Sequence, residues 1–227
     1  MKKEVKTLAM LTTISVTILL LWILNWANRS YPLPPIKTIK QQAAVNFNNH
    51  TLEVLSLGKK RMISALLWIV TMIESDHDHY KKKDYGSWIF LRLKSITLLD
   101  PLFQEAYLYG GQYLSVIKDD DLGAKYIYDR GMQKLPDDFY ITLYAGFHYY
   151  LELNDFKTAA SLFKKIKDHP NMSRAMPNID SFIARLYEKG GDLKTSLMLL
   201  DQIIQNPKTN PKTKERLESR SEEIRDQ

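Results

Sequence analysis

The 227-residue chain is 44% hydrophobic and carries 32 Lys and Arg against 26 Asp and Glu, a net charge of +6. Nine Gly and nine Pro are too few for a low-complexity or collagen-like chain, and thirteen Tyr, eight Phe and four Trp are too many for a disordered one. The lack of cysteine excludes disulfides, cysteine-type zinc sites and thiol catalysis, and leaves the redox compartment open.

The basic residues are interleaved with acids and accompany no nucleic-acid-reading motif, so they are read as a solvated surface and no nucleic-acid partner is expected.

A basic tail, residues 1–7 with Lys2, Lys3 and Lys6, precedes an uncharged run from Leu8 to Ala27. At ~1.5 Å per residue this run spans a ~30 Å hydrocarbon core, so residues 8–27 are predicted to be one transmembrane helix. Trp22 and Trp26 near its far end suit a membrane interface, and Arg29 follows. The run is longer than a signal-peptide core, and Asn25-Trp26-Ala27 is a poor cleavage site, which favours an uncleaved anchor. The lysines before the span place the N-terminus in the cytoplasm under the positive-inside bias. Residues 28–55, with Pro32, Pro34 and Pro35, read as a stiff stalk, and Ile39, Ala43 and Phe47 suggest a short helix within it.

Residues 56–208 read as helices separated by periodic punctuation. Pro101, Pro136, Pro170 and Pro207 each close a helical stretch, 35, 34 and 37 residues apart. Asp84, Asp120, Asp155 and Asp192 suit helix starts and lie 36, 35 and 37 apart. Because the two series interleave, each unit is a pair of helices. In the second helix of each pair, residues at offsets 0, +4 and +7 share a face: Ile89, Leu93, Ile96; Ala124, Tyr128, Gly131; Ala159, Phe163, Ile166; Ser196, Leu200, Ile203. In the first helices a small residue precedes a larger one by three: Gly111 and Leu114, Gly146 and Tyr149, Ala184 and Tyr187. The small members Gly111, Ala124, Gly131, Gly146, Ala159 and Ala184 are therefore expected at close helix crossings. The opening helix, RMISALLWIVTMIE, is apolar nearly all round and too short to span a bilayer. It is expected to be a buried N-terminal cap, with contact to lipid or to a partner as the open alternative. Residues 209–227 start with Asn210-Pro211 and are mostly charged, as a polar capping helix should be, with Leu217 and Ile224 as its inward stripe.

This pattern resembles the tetratricopeptide repeat (TPR), a helix-turn-helix unit of roughly 34 residues with small residues at fixed positions and a closing Pro. The segments FYITLYAGFHYYLELNDFKTAASLFKKIKDHP and DSFIARLYEKGGDLKTSLMLLDQIIQNP carry it best. The resemblance implies an all-α fold: a right-handed α-solenoid of about four TPR-like units plus the C-terminal capping helix, preceded by the transmembrane helix. It also implies that first helices line a concave face, where Tyr109, Tyr113, Tyr144 and His148 would form a protein-binding groove. On this basis the expected partners are proteins, such as an exported polypeptide or a membrane-complex subunit, and the lipid bilayer through residues 8–27. The resemblance implies a bacterial inner-membrane protein with a periplasmic repeat domain, serving assembly, secretion or organisation of an envelope complex. Two alternatives stay open: a fixed accessory subunit of a large membrane machine, and a mitochondrial import receptor whose repeats face the cytosol.

No enzymatic site is legible. The sequence has no Gly-rich phosphate loop, G-x-S-x-G or H-E-x-x-H. Glu74, Asp76, His77, Asp78 and His79 form the one metal-like cluster, but His77 and His79 are two apart and point to different sides of a helix. They read as a polar turn, and neither a metal nor another cofactor is expected.

Overall fold

The computed structural model describes residues 10, 12–23, 26, 49–75, 87–207 and 209–226, and the described residues are all-α, with no strand among them. Two compact units divide the chain at Ala43/Ala44. In the first, residues 12–23 are helical and every one is exposed. Among the described residues no helix is long and apolar enough to cross a membrane. The basic tail, the prolines of the stalk and the short helix expected after Ile36 lie outside the described residues.

The second unit runs through α1 (Asn49–Leu55), α2 (Lys60–Ser75), α3 (Trp88–Leu99) and α4 (Gln104–Gln112), which continues into a π-helical turn, Tyr113–Ile117. Then follow α5 (Asp121–Lys134), α6 (Phe139–Leu151), α7 (Phe156–Ile166), the single turn α8 (Met172–Ala175), α9 (Ile179–Lys189), α10 (Leu193–Gln205) and α11 (Pro211–Arg225). Residues 49–55, read from sequence as the end of the stalk, are thus a helix, which packs on α3.

The aspartate rhythm is a capping rhythm. Asp120, Asp155 and Asp192 are the N-caps of α5, α7 and α10, and each carboxylate accepts from the backbone N–H three residues on, at 2.9, 3.1 and 3.1 Å. Such a cap contributes ~1 kcal/mol. The residue before each cap, Asp119, Asn154 and Gly191, has a left-handed backbone with φ of 50°, 53° and 77°. That conformation stops the preceding helix and turns the chain, and Asp, Asn and Gly tolerate it best. In the first pair the expected cap, Asp84, lies outside the described residues. There α3 starts at Trp88, and the Ser87 hydroxyl accepts from Phe90 N–H at 3.1 Å.

The second-helix stripes face inward. Ile89, Leu93, Ile96, Ala124, Ala159, Phe163 and Ser196 are fully enclosed, Tyr128, Ile166 and Leu200 nearly so, and Gly131 is buried. Ile203, at the end of the last stripe, is half-buried. Extensive contacts join helices one or two steps apart in the chain: α2 with α3, α4 with α5, α5 with α6, α6 with α7, α7 with α9, α9 with α10, and α10 with α11. Their core is a series of three clusters. Met132 and Leu162 touch both the first and the second, and Leu199 both the second and the third. Leu217 and Ile224 close the series from α11, as expected of a polar cap.

The glycines explain how the pairs approach. A Cβ on Gly111 would sit 2.6 Å from the Tyr128 ring, and one on Gly146 would lie 2.9 Å from Phe163 Cζ. At Gly131 it would meet Tyr107 Cβ and Cγ at 2.9 Å and Ile141 Cγ2 at 3.1 Å. Each ring occupies the notch that a missing side chain leaves.

The opening helix is not the buried cap that the sequence suggested. Its inward face is Ser64, Thr71 and Ser75 with Leu67 and Trp68 packed half-buried on the first cluster, while Met62, Leu66, Ile69, Val70 and Ile73 stand exposed. Ser64 Oγ donates to the Ile96 carbonyl at 3.1 Å, and small side chains let α2 approach α3 closely.

Two alanine substitutions separate rigid from yielding notches. Gly131→Ala gains ~1 kcal/mol of helix propensity but forces a methyl onto the root of Tyr107, an overpacking that costs about 1–3 kcal/mol. A lower urea midpoint is expected. In Gly110→Ala the methyl meets the end of the Leu93 side chain, Cδ2 at 2.7 Å, which can shift at less cost than the root of Tyr107, so a smaller drop in midpoint is expected.

Candidate functional site

The candidate surface lies on α4 and α6, the first helices of two successive pairs, which pack against each other. The sequence FYITLYAGFHYYL makes α6 an almost wholly buried helix: Phe139, Ile141, Thr142, Leu143, Ala145, Gly146, His148 and Tyr149 all face neighbours. Tyr140, Tyr144 and Leu151 remain exposed. They lie four and then seven residues apart, so they form one stripe along the helix. Tyr109, 54% exposed, stands out from α4, and Tyr144 is 39% exposed. These two tyrosines present broad, rigid rings with polar tips to solvent, the side-chain type that protein interfaces favour.

The other two residues assigned to the groove do different work. Tyr113 is half-buried at the start of the π-helical turn, and its hydroxyl donates to the Ser75 carbonyl at 3.0 Å, tying α4 to the end of α2. His148 does not line an exposed groove: only 3% of it is accessible. Its Nε2 lies 3.0 Å from the Asp121 carbonyl and its Nδ1 2.9 Å from Ser115 Oγ. A carbonyl can only accept, so Nε2 carries the proton and Nδ1 accepts from the serine hydroxyl. The imidazole thereby joins α6, the first turn of α5 and the π-helical turn. Spacing alone puts His148 four residues after Tyr144 on the same helix, but the α5 start and the π-helical turn close over it.

Leu151 was missed in sequence, and Tyr140, one of the first-helix aromatics expected in part on the concave face, was not assigned to the groove. The signal for Tyr140 was its spacing of four residues from Tyr144 on an otherwise buried helix. A concavity of about 1080 Å³ lies elsewhere, between α9 and α11. Phe182, Leu200 and Leu217 are its apolar lining, and Arg185, Arg216 and Arg220 are among its charged residues. Arg220 pairs with Glu188 of α9 and Glu223 of α11, so part of its charge is already satisfied.

Within the metal-like cluster, Glu74 forms an ion pair with Arg92, and Asp76, His77, Asp78 and His79 lie outside the described residues. Among the described residues no group of three or more His, Asp or Glu could hold a metal ion.

Burial pushes the His148 imidazole below its ordinary value of 6.5, which the hydrogen bond to the Asp121 carbonyl only partly offsets. As the pH falls through about 6.5 the unfolded chain takes up a proton that the folded chain refuses until lower pH, so stability present above 6.5 is lost on acidification. The urea midpoint should drop between pH 7.5 and 5.5. His148→Leu should be less stable at pH 7.5, by about 1–3 kcal/mol for the polar groups left unpaired, and should show a shallower pH dependence. In comparisons with known proteins, no family model matches the sequence and no curated protein matches it either.

Proposed function

We propose that this chain is a membrane-anchored, TPR-like scaffold whose exposed tyrosines dock polypeptide segments of an envelope assembly. The observation that carries the reading is the repeated unit: a left-handed residue, an aspartate cap and a small residue four positions after the cap recur in α5, α7 and α10. Stacked helix pairs of this kind, each packed on its neighbours and closed by a polar end helix, build right-handed α-solenoids with long side surfaces suited to binding other chains. Tyr109 on α4 and Tyr140, Tyr144 and Leu151 on α6 supply the contact area. Recognition on such a surface uses buried apolar area and side-chain hydrogen bonds, without bond chemistry.

The anchor is the run 8–27. Its described part exposes Ile14, Val16, Ile18, Leu19, Leu20, Leu21, Trp22 and Ile23 on all sides. A helix apolar all round finds its stable environment in hydrocarbon. The positive charges before the run favour a cytoplasmic N-terminus, which puts the repeat domain on the other side of a bacterial inner membrane, in the periplasm.

Two measurements test this reading. Alkaline carbonate extraction of cell membranes should leave the full chain in the pellet and release a variant lacking residues 8–27. Release of the full chain would overturn the anchor. A photoreactive residue replacing Tyr144 in intact cells should yield protein adducts identifiable by mass spectrometry. Many exported chains would support the adaptor, one dominant membrane-complex component would replace it with a fixed accessory subunit, and no adduct would remove α6 as the working surface.

A further inference from the structure

Helix α2 leaves a large aliphatic face exposed. Toward the core it turns Ser64, Thr71 and Ser75, all buried, with Leu67 and Trp68 packed half-buried beside them, and the side chains of its opposite face are large and aliphatic. Met62, Leu66, Ile69 and Ile73 follow at intervals of four, three and four, which places them on one face. Val70 stands beside them, and from Met62 to Ile73 the sequence has no charged residue. Ile69 and Ile73 are 53% and 64% exposed. The turn before α2 adds Leu57, 87% exposed on a left-handed backbone of φ 48°, a conformation that a leucine adopts only at a cost. Exposed aliphatic side chains in this number mark a surface that is covered in the working state.

We propose that this face of α2 lies in the interfacial layer of an anionic lipid bilayer, parallel to the membrane plane. Length excludes spanning: the twelve residues Met62–Ile73 make ~18 Å of helix against a ~30 Å hydrocarbon core. The outward face carries large aliphatic side chains, Met62, Leu66, Ile69, Val70 and Ile73, for which burial in the hydrocarbon edge of a bilayer is open. Charge sets the lipid type. Lys59, Lys60 and Arg61 stand exposed at the start of α2, and Arg61 is 3.9 Å from Asp100 and otherwise points to solvent. At the other end Glu74 is paired with Arg92 of α3, and Glu53 of α1 is taken by Lys60 at 2.8 Å. The pair with Glu53 satisfies Lys60 as well, so Lys59 and the largely exposed Arg61 are the charges of this end left to meet acidic headgroups.

Reach comes from the proposed anchor, on which the inference rests. Twenty-one residues, 28–48, separate the predicted span from α1. They hold the start of α1 within at most ~75 Å of the bilayer exit, so surface binding is an intramolecular event at high effective concentration.

The absence of cysteine allows single-cysteine variants of the full chain, each carrying an environment-sensitive nitrobenzoxadiazole label, in vesicles of phosphatidylcholine and phosphatidylglycerol. Labels at Ile69→Cys and Ile73→Cys should be quenched by nitroxide-bearing lipids several-fold more than labels at the exposed positions Leu122→Cys and Leu151→Cys, and should resist aqueous iodide. Replacing phosphatidylglycerol by phosphatidylcholine, or Lys59 and Arg61 by Glu, should weaken that lipid quenching. Iodide access equal to the controls would overturn the proposal. Shielding from both quenchers would also overturn it, by showing that a protein covers α2. A label at Leu20→Cys reports the anchor separately: deep lipid quenching there without quenching at Ile69 and Ile73 defeats only this inference. The reverse pattern defeats the anchor and leaves α2 on the membrane.

Discussion

The fold depends on side-chain rings filling notches where a neighbouring helix carries glycine. Between α4 and α5 the arrangement is reciprocal: Tyr128 of α5 sits over Gly111 of α4, and Tyr107 of α4 sits over Gly131 of α5. Between α6 and α7, Phe163 sits over Gly146. A buried aromatic side chain of this size contributes about 1.5–3 kcal/mol, but only if the backbones come close enough for the ring to be enclosed. Glycine supplies that closeness at a cost of ~1 kcal/mol each in helix propensity, so these positions are where packing outweighs local preference. The aspartate caps and left-handed residues set each helix end, which fixes the register in which ring meets notch.

Much of this was legible in the sequence, because capping and close packing impose residue types at fixed spacings. Asp120, Asp155 and Asp192 could be named as caps, and the +4 and +7 stripes could be named as inward faces, since both rules are local. The left-handed residues before the caps were not recognised, although Asp119, Asn154 and Gly191 are the residue types that turn requires. The start of α3 was misplaced because Ser87 caps as well as Asp84 would, and spacing alone cannot choose between two capping residues three apart.

The surface was harder to read. A helix such as α6, which neighbours enclose on nearly every side, has no polar face to orient it, so periodicity could not separate Tyr144 from His148. What buries His148 is a contact with the first turn of α5 and with the π-helical turn, neither of which the repeat pattern encodes. For α2 the difficulty was opposite. An apolar helix invites burial, but only Leu67, Trp68 and the small Ser64, Thr71 and Ser75, whose low bulk allows α3 to approach, turn to the core. Hydrophobicity said that the helix needs an apolar environment, and the structure shows that its own chain supplies only part of one.

The short sequence distance of the contacts has a kinetic meaning. Because each helix finds its partners one or two steps away in the chain, closing those contacts requires small loops, and the domain can fold progressively as its residues emerge during synthesis. In such an order α11 arrives last. Until Leu217 and Ile224 dock, the outer side of Leu200 and its neighbours on α10 remains wet. The most highly charged helix of the domain is thus the one whose arrival completes the core, and a chain still missing it keeps an open, adhesive end.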